Sequence, residues 1–252
     1  MISLSTKNWK LENIDTVLFD KDGTLLDSHI YWGRIIQLRA LAIMSAYNLS
    51  YEVYKNLFGV MGLDFETKKL KPEGPIALVS REVVIDTIIK YLHSQGMKTN
   101  FFIISELFNK VHKEFNRELQ YYITPLQGAL ALVENLKNKK VKVAIVTSDT
   151  VENTETILKF WKIESLVDCI IGKESTTQPK DTGVPAIEAV MKLESLLKNT
   201  IAIGDALIDI QMAREARLKG CIGVATGQVP IEVLRKSTKY IIGNLSELII
   251  GD

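Results

Sequence analysis

At 252 residues, with 46% hydrophobic and 24% charged side chains, the chain has an ordinary globular make-up and room for one large domain or two modest ones. Lys plus Arg number 31 against 30 Asp plus Glu, a formal net charge of +1. No overall field exists to hold nucleic acid or an anionic membrane, so any affinity for anions must come from a local site.

The first ten residues have no apolar core of signal-peptide length, and no uninterrupted apolar stretch reaches the roughly 18 residues of a membrane span. A cytoplasmic setting without a membrane partner is the expectation. Cys169 and Cys221 both lie in apolar, strand-like runs and lack a second Cys or a His at ligand spacing. Buried thiols are expected there, not a disulfide or metal pair. His29, His93 and His112 are scattered and form no metal-binding pattern.

In chain order, the first predicted strand covers residues 16–20. The segment 28–122 then has helical spacing: Trp32, Ile35, Ile36, Leu38 and Leu41, then Val83, Val84, Ile88 and Leu92, then Phe101, Ile104, Leu107, Phe108 and Val111. A loop rich in Gly, Pro and Lys is expected over 59–80. Further strands follow at 141–147, 167–171, 200–204 and 221–225, each leading into a helix-like stretch, with a short edge run at 240–242. Val143 to Val146 and Ile201 to Ile203 are apolar on consecutive positions, as strands covered on both faces require. The expected fold is α/β: a Rossmann-like parallel sheet with helices on both faces, carrying an inserted α-helical cap domain. The core would comprise 1–26 and 123–252, and the cap 27–122, because one βαβ crossover needs only a single helix.

The strongest signal is Asp20-Lys21-Asp22-Gly23-Thr24 directly after the apolar run Val17-Leu18-Phe19. Ligands of open parallel sheets gather beyond the strand carboxyl ends, so both acids would emerge where a site forms. Asp20 can serve as nucleophile and metal ligand, and Asp22 can protonate a leaving oxygen and later activate water. Gly23 lets backbone N–H groups approach a phosphate.

Downstream, Ile201-Ala202-Ile203 ends in Gly204-Asp205, with Asp209 four residues later. Clustered carboxylates need a cation, and an all-oxygen set with open positions suits Mg²⁺. By itself the pattern fits a helix-capping Asp beside a solvated one equally well. Thr147-Ser148-Asp149 closes another strand, as a phosphate-oxygen site or as a helix cap. Lys180, in Gln178-Pro179-Lys180, supplies a cation that could hold phosphate. Arg81, opening a cap helix, is either an exposed helix start or a substrate contact. Lys68, Lys69 and Lys71 are expected as a solvated face.

Taken together, Asp20-Lys21-Asp22-Gly23-Thr24, Thr147-Ser148, Lys180 and Gly204-Asp205 with Asp209 resemble, in order, the four motifs of the haloacid dehalogenase-like superfamily, and more narrowly its phosphoglycolate phosphatase-like branch. The likeness runs through Gly223-Val224-Ala225-Thr226-Gly227 to the segment 242–248. It implies an aspartyl-phosphate on Asp20, Asp22 as acid/base lending its carbonyl to Mg²⁺, and Thr147 with the Ser148 backbone on the phosphoryl group. Lys180 would neutralise that group, Asp205 would bind the metal, and Asp209 would bind it directly or act behind it. The implied substrate is a small phosphorylated metabolite, phosphoglycolate-like or a sugar phosphate. The alternatives are a phosphoglucomutase-like phosphotransferase and a catalytically idle binding protein of this fold. Asp22 argues against carbon–halogen cleavage, since dehalogenases lack this acid. The third motif departs from the common Lys-Pro pattern, because Asp181-Thr182-Gly183 follows Lys180; Lys173 is the weaker substitute.

Overall fold

The computed structural model describes residues 1–76 and 79–252. It divides into two compact units, one made of Met1–Asp27 with Pro125–Asp252, the other of Ser28–Thr124.

The first unit opens with β1 (Ile2–Ser5) and β2 (Lys10–Ile14), an antiparallel pair, and then β3 (Thr16–Phe19). The second unit holds α1 (Ser28–Tyr47), α2 (Tyr51–Met61), α3 (Arg81–Ser94) and α4 (Phe101–Glu118). The chain returns to the first unit through α5 (Ala129–Asn138), β4 (Lys142–Val146), α6 (Val151–Trp161) and β5 (Cys169–Ile171). Next come α7 (Val184–Lys192), β6 (Thr200–Gly204), α8 (Leu207–Glu215) and β7 (Gly220–Val224). The short elements α9 (Ile231–Leu234), β8 (Ile241–Ile242) and β9 (Ile249–Gly251) end it.

Six strands form one parallel sheet in the order β5-β4-β3-β6-β7-β8. Strand alternation gives it two apolar faces. Val17, Phe19, Val143, Ile145, Ile201 and Ile203 pack with Leu132, Val133 and Leu136 of α5. Leu18, Ala144, Val146 and Ala202 face the other way, onto Ala186, Ala189 and Val190 of α7 and Met212 and Ala213 of α8. Burial on both faces is why these strands lack polar alternation. A second, three-stranded antiparallel sheet, β2-β1-β9, was not expected from the sequence. Its strands are short, and Glu12 and Asn13 lie exposed on β2, so the apolar signal there is weak.

The helical unit is built around Ile36, Ala40 and Ile43 of α1, Leu57, Phe58 and Met61 of α2, Val84, Ile85, Ile88 and Leu92 of α3, and Ile104 and Phe108 of α4. Side-chain oxygens of Ser50 and Asn100 cap α2 and α4, accepting from the N–H groups of Val53 and Ile103. The expected loop over 59–80 needs correcting, because residues 59–61 finish α2. That helix ends at Gly62 with φ 94°, where a Cβ would lie 2.6 Å from the Gly74 backbone. Lys68, Lys69 and Lys71 are exposed, as expected, and the Lys68 Nζ lies 3.8 Å from the Phe65 ring centroid. Ala77 and Leu78 fall outside the described residues. Cys221 is buried, but Cys169 is only half-buried, on the sheet's edge strand. Among the described residues no helix is long and apolar enough to cross a membrane.

Candidate active site

The carboxyl end of β3 sits where the sheet's winding reverses, since the chain runs from β3 outward through β4 and β5, then returns to β6 on β3's other side. The Asp20 N–H donates to the Ile203 carbonyl (2.9 Å), so its backbone is still held by β6 while its side chain projects past the sheet. A tight turn follows. The Lys21 carbonyl accepts from the N–H groups of Leu25 and Leu26 (both 2.9 Å), and Gly23 turns at φ 86°. At Gly23 a Cβ would meet Asp205 Oδ2 at 2.4 Å, and at Gly227 it would meet the same oxygen at 1.6 Å. Two glycines thus make the space in which the Asp205 carboxylate lies. Thr226 donates its hydroxyl to the Gly23 carbonyl (2.6 Å), joining the turn after β7 to the turn after β3.

Asp20, Asp205 and Asp209 are all buried and offer carboxylate oxygens within 4.8 Å of one another. Asp209 lies in the first turn of α8, where its Oδ2 accepts from the Ala206 N–H (3.0 Å). Lys180, 6% exposed, places its Nζ 2.6 Å from both Asp20 Oδ1 and Asp209 Oδ1. The reshaped third-motif loop therefore still delivers this lysine, whereas Lys173 is exposed. Three carboxylates against one ammonium leave net negative charge in a desolvated spot. Burial, then repulsion from Asp209 and Asp22, raises the Asp20 pKa to about 7 despite Lys180. Burial, then Asp20 and Asp209, pushes Asp205 well up. For Lys180, burial works against the charge, but Asp20 and Asp209 outweigh it and raise the pKa. A hard divalent cation fits this donor set, because oxygen ligands with surplus negative charge are what Mg²⁺ takes. The trio is Asp20, Asp205 and Asp209; the Asp22 carboxylate is engaged elsewhere.

Lys21 is where sequence reasoning fell short. Its side chain is 1% exposed, and its Nζ lies 2.9 Å from both Asp22 Oδ1 and Asp149 Oδ2. Asp149 also accepts from Asn153 Nδ2 (2.5 Å) and the Thr150 N–H (2.7 Å). Burial opposes the Asp149 charge, yet Lys21 and these donors hold its pKa below the ordinary value. Burial raises that of Asp22, with Lys21 acting against it. A lysine between two acids at a buried strand end was the available signal, since such a charge must find partners. Thr147 is buried after β4, its N–H donating to the Ile171 carbonyl (2.9 Å) and its Oγ1 accepting from the Asp149 N–H (3.1 Å). Ser148 beside it is exposed, and Thr150, not Ser148 or Asp149, caps α6. Arg81 lies in the helical unit, where its Nη2 donates to the Ser105 carbonyl (3.0 Å) and Asn109 Oδ1 (2.7 Å).

Several known proteins are similar to this chain. The chain is 23% identical to "Pyrophosphatase PpaX" of Bacillus mycoides over 239 residues, covering 94% of this chain and 95% of that one. Shorter matches from Caldanaerobacter subterraneus (26% over 146 residues, 57% of this chain) and Clostridium perfringens (31% over 106 residues, 42% of this chain) span 66% and 49% of those relatives. Among solved structures, a "predicted phosphoglycolate phosphatase" from Haemophilus somnus superposes with a TM-score of 0.72 at 17% identity, covering 94% of this chain and 97% of that one. That likeness is one of fold. The family model described as haloacid dehalogenase-like hydrolase matches residues 17–223, which includes Asp20 to Thr24, Thr147, Ser148, Lys180 and Gly204 to Asp209, and the chain belongs to that family.

Proposed function

We propose that this phosphoric monoester hydrolase is a Mg²⁺-dependent phosphatase that acts on a small phosphorylated metabolite through an aspartyl-phosphate on Asp20. The observation that carries the reading is the buried trio Asp20, Asp205 and Asp209 with its single lysine at the sheet's winding reversal. Asp20 attacks phosphorus as the ester P–O bond breaks, and Asp22 gives its proton to the departing oxygen. Water then attacks the acyl phosphate, loses a proton to Asp22, and returns Asp20 free with release of phosphate. The raised pKa of Asp22, from burial, favours a protonated start. Thr147, the backbone at Ser148 and Gly23, and Lys180 hold the phosphoryl oxygens. Asp20, Asp205 and the Asp22 carbonyl hold the metal, with Asp209 as a direct ligand or behind it. When bound, Mg²⁺ supplies positive charge against the phosphoryl oxygens. The setting is cytoplasmic.

Pyrophosphate heads the substrate panel, because a relative covering nearly the whole chain is named a pyrophosphatase. Phosphoglycolate and sugar phosphates follow. Phosphate release from this panel and from p-nitrophenyl phosphate is measured for wild type and Asp20→Asn, with Mg²⁺ and with chelator. Metal-dependent turnover that falls by about 10³-fold or more in Asp20→Asn is expected. Folded wild type that releases phosphate from no compound with Mg²⁺ present would sink the reading.

A further inference from the structure

Among the described residues of the helical unit, Arg39 is a cation without an acidic partner. Arg39 projects from α1 with its Cζ 3.9 Å from the centroid of the Phe108 ring on α4. Its Nε is buried without an acceptor. Among the described residues, no carboxylate acts on this guanidinium, and Tyr31 alone favours its charge. The second arginine, Arg81 at the start of α3, has its Cζ 5.6 Å from the same ring. Its hydrogen bonds go to two neutral oxygens, the Ser105 carbonyl and Asn109 Oδ1.

This is poor company for a half-buried cation. Burial and the charge of Arg81 both press Arg39 towards its neutral form, and a guanidinium does not yield its proton. The Phe108 ring face offsets part of the cost but satisfies none of five N–H donors. A planar fork whose Nε–H lacks an acceptor, beside a second fork, matches the paired oxygens of a carboxylate or phosphate. Asn109, already turned towards Arg81, adds an amide that can donate to the same ligand.

We infer that Arg39 and Arg81, gathered at Phe108, form an anion-binding site of the helical unit that takes a carboxylate or phosphate group. The site stands apart from the phosphatase reading and does not require it. Its ligand comes as a free anion.

The test uses the full chain in chelator, comparing chloride with inorganic phosphate at equal ionic strength. Thermal midpoints are read for wild type, Arg39→Met and Arg81→Met. Methionine keeps the packing on Phe108 and removes the charge. In chloride, Arg39→Met should melt at or above wild type, because it removes a half-buried cation that has no acidic partner. Phosphate should then raise the wild-type midpoint by about 2–4 °C more than that of either variant. Equal increments in all three proteins would overturn the site and leave Arg39 a packing residue. Nitrogen NMR gives a second reading on wild type alone: the Arg39 Nε–H signal, assigned through its contact with Phe108, should move on adding phosphate, and a stationary signal also overturns it.

Discussion

Lys180 is a buried cation and Arg39 a half-buried one, and they keep opposite company. Lys180 sits in the first unit with two carboxylates at 2.6 Å and a third close by. Arg39 sits in the helical unit with an aromatic ring and no acid. The first region has surplus negative charge and suits a metal, and the second has surplus positive charge and suits an oxyanion. A folded chain rarely leaves either imbalance buried without a ligand to answer it, because uncompensated buried charge costs several kcal/mol per ion. The comparison therefore predicts ligands of opposite sign for the two units.

The sharpest way to break it is at Lys180. Lys180→Ala leaves Asp20, Asp205 and Asp209 facing one another, so the metal-free protein should lose about 3–5 kcal/mol. Urea unfolding should show that loss in chelator and a smaller one with Mg²⁺. An equal loss in both would mean that no cation answers the acids.

Lys21→Met tests the neighbouring pair, since Asp22 and Asp149 would lose their shared ammonium. We expect kcat to fall by about 10²-fold with KM little changed, and Lys21→Arg to recover part of it. Gly227→Ala is next: its Cβ would overlap Asp205, so half-saturation by Mg²⁺ should rise by roughly tenfold while the fold, read by circular dichroism, persists. If Mg²⁺ dependence is unaltered, Asp205 is not a ligand.

A pH series sharpens the same point. Asp20 and Asp205 have raised pKa values in the metal-free fold, so the folded state holds protons that the unfolded chain has released. Their stabilising effect is complete below the ordinary carboxylate range and is lost as pH climbs through about 7 for Asp20. The midpoint in chelator should fall between pH 5 and 8, and Mg²⁺ should raise it most at pH 8. Asp149, shifted the other way, has completed its contribution before this window opens. The smallest effect is expected at the helical unit's surface. Asn100→Ala removes the cap of α4 and should cost about 1 kcal/mol without changing Mg²⁺ dependence.

The sequence made the parallel sheet legible because its central strands are apolar on both faces, and Phe19-Asp20 marks the point where burial gives way to chemistry. The acids following β3 and β6 could be expected to meet, since only neighbouring strands could unite positions so distant in the chain. Other features needed coordinates. The strands β1, β2 and β9 are short and weakly patterned, and their pairing joins segments from opposite ends of the chain. Lys21 reads on paper as the variable residue between two acids, and its burial appears only once the turn folds it onto Asp149. Arg39 sits in a helix whose apolar residues do not keep to one face, so its spacing does not mark it; the absence of an acidic partner is a property of three dimensions.

Because β3 is the middle of its sheet but an early segment of the chain, it has consequences for how the molecule is made. Its two partners begin at Lys142 and Thr200, so during synthesis at about 5–20 residues per second β3 waits several seconds for its neighbours. The helical unit, complete by Thr124, meets no such delay and is free to fold on the ribosome first. The apolar run Val17-Leu18-Phe19 spends that interval unpaired, which makes the nascent core, rather than the cap helices, the segment most in need of a chaperone.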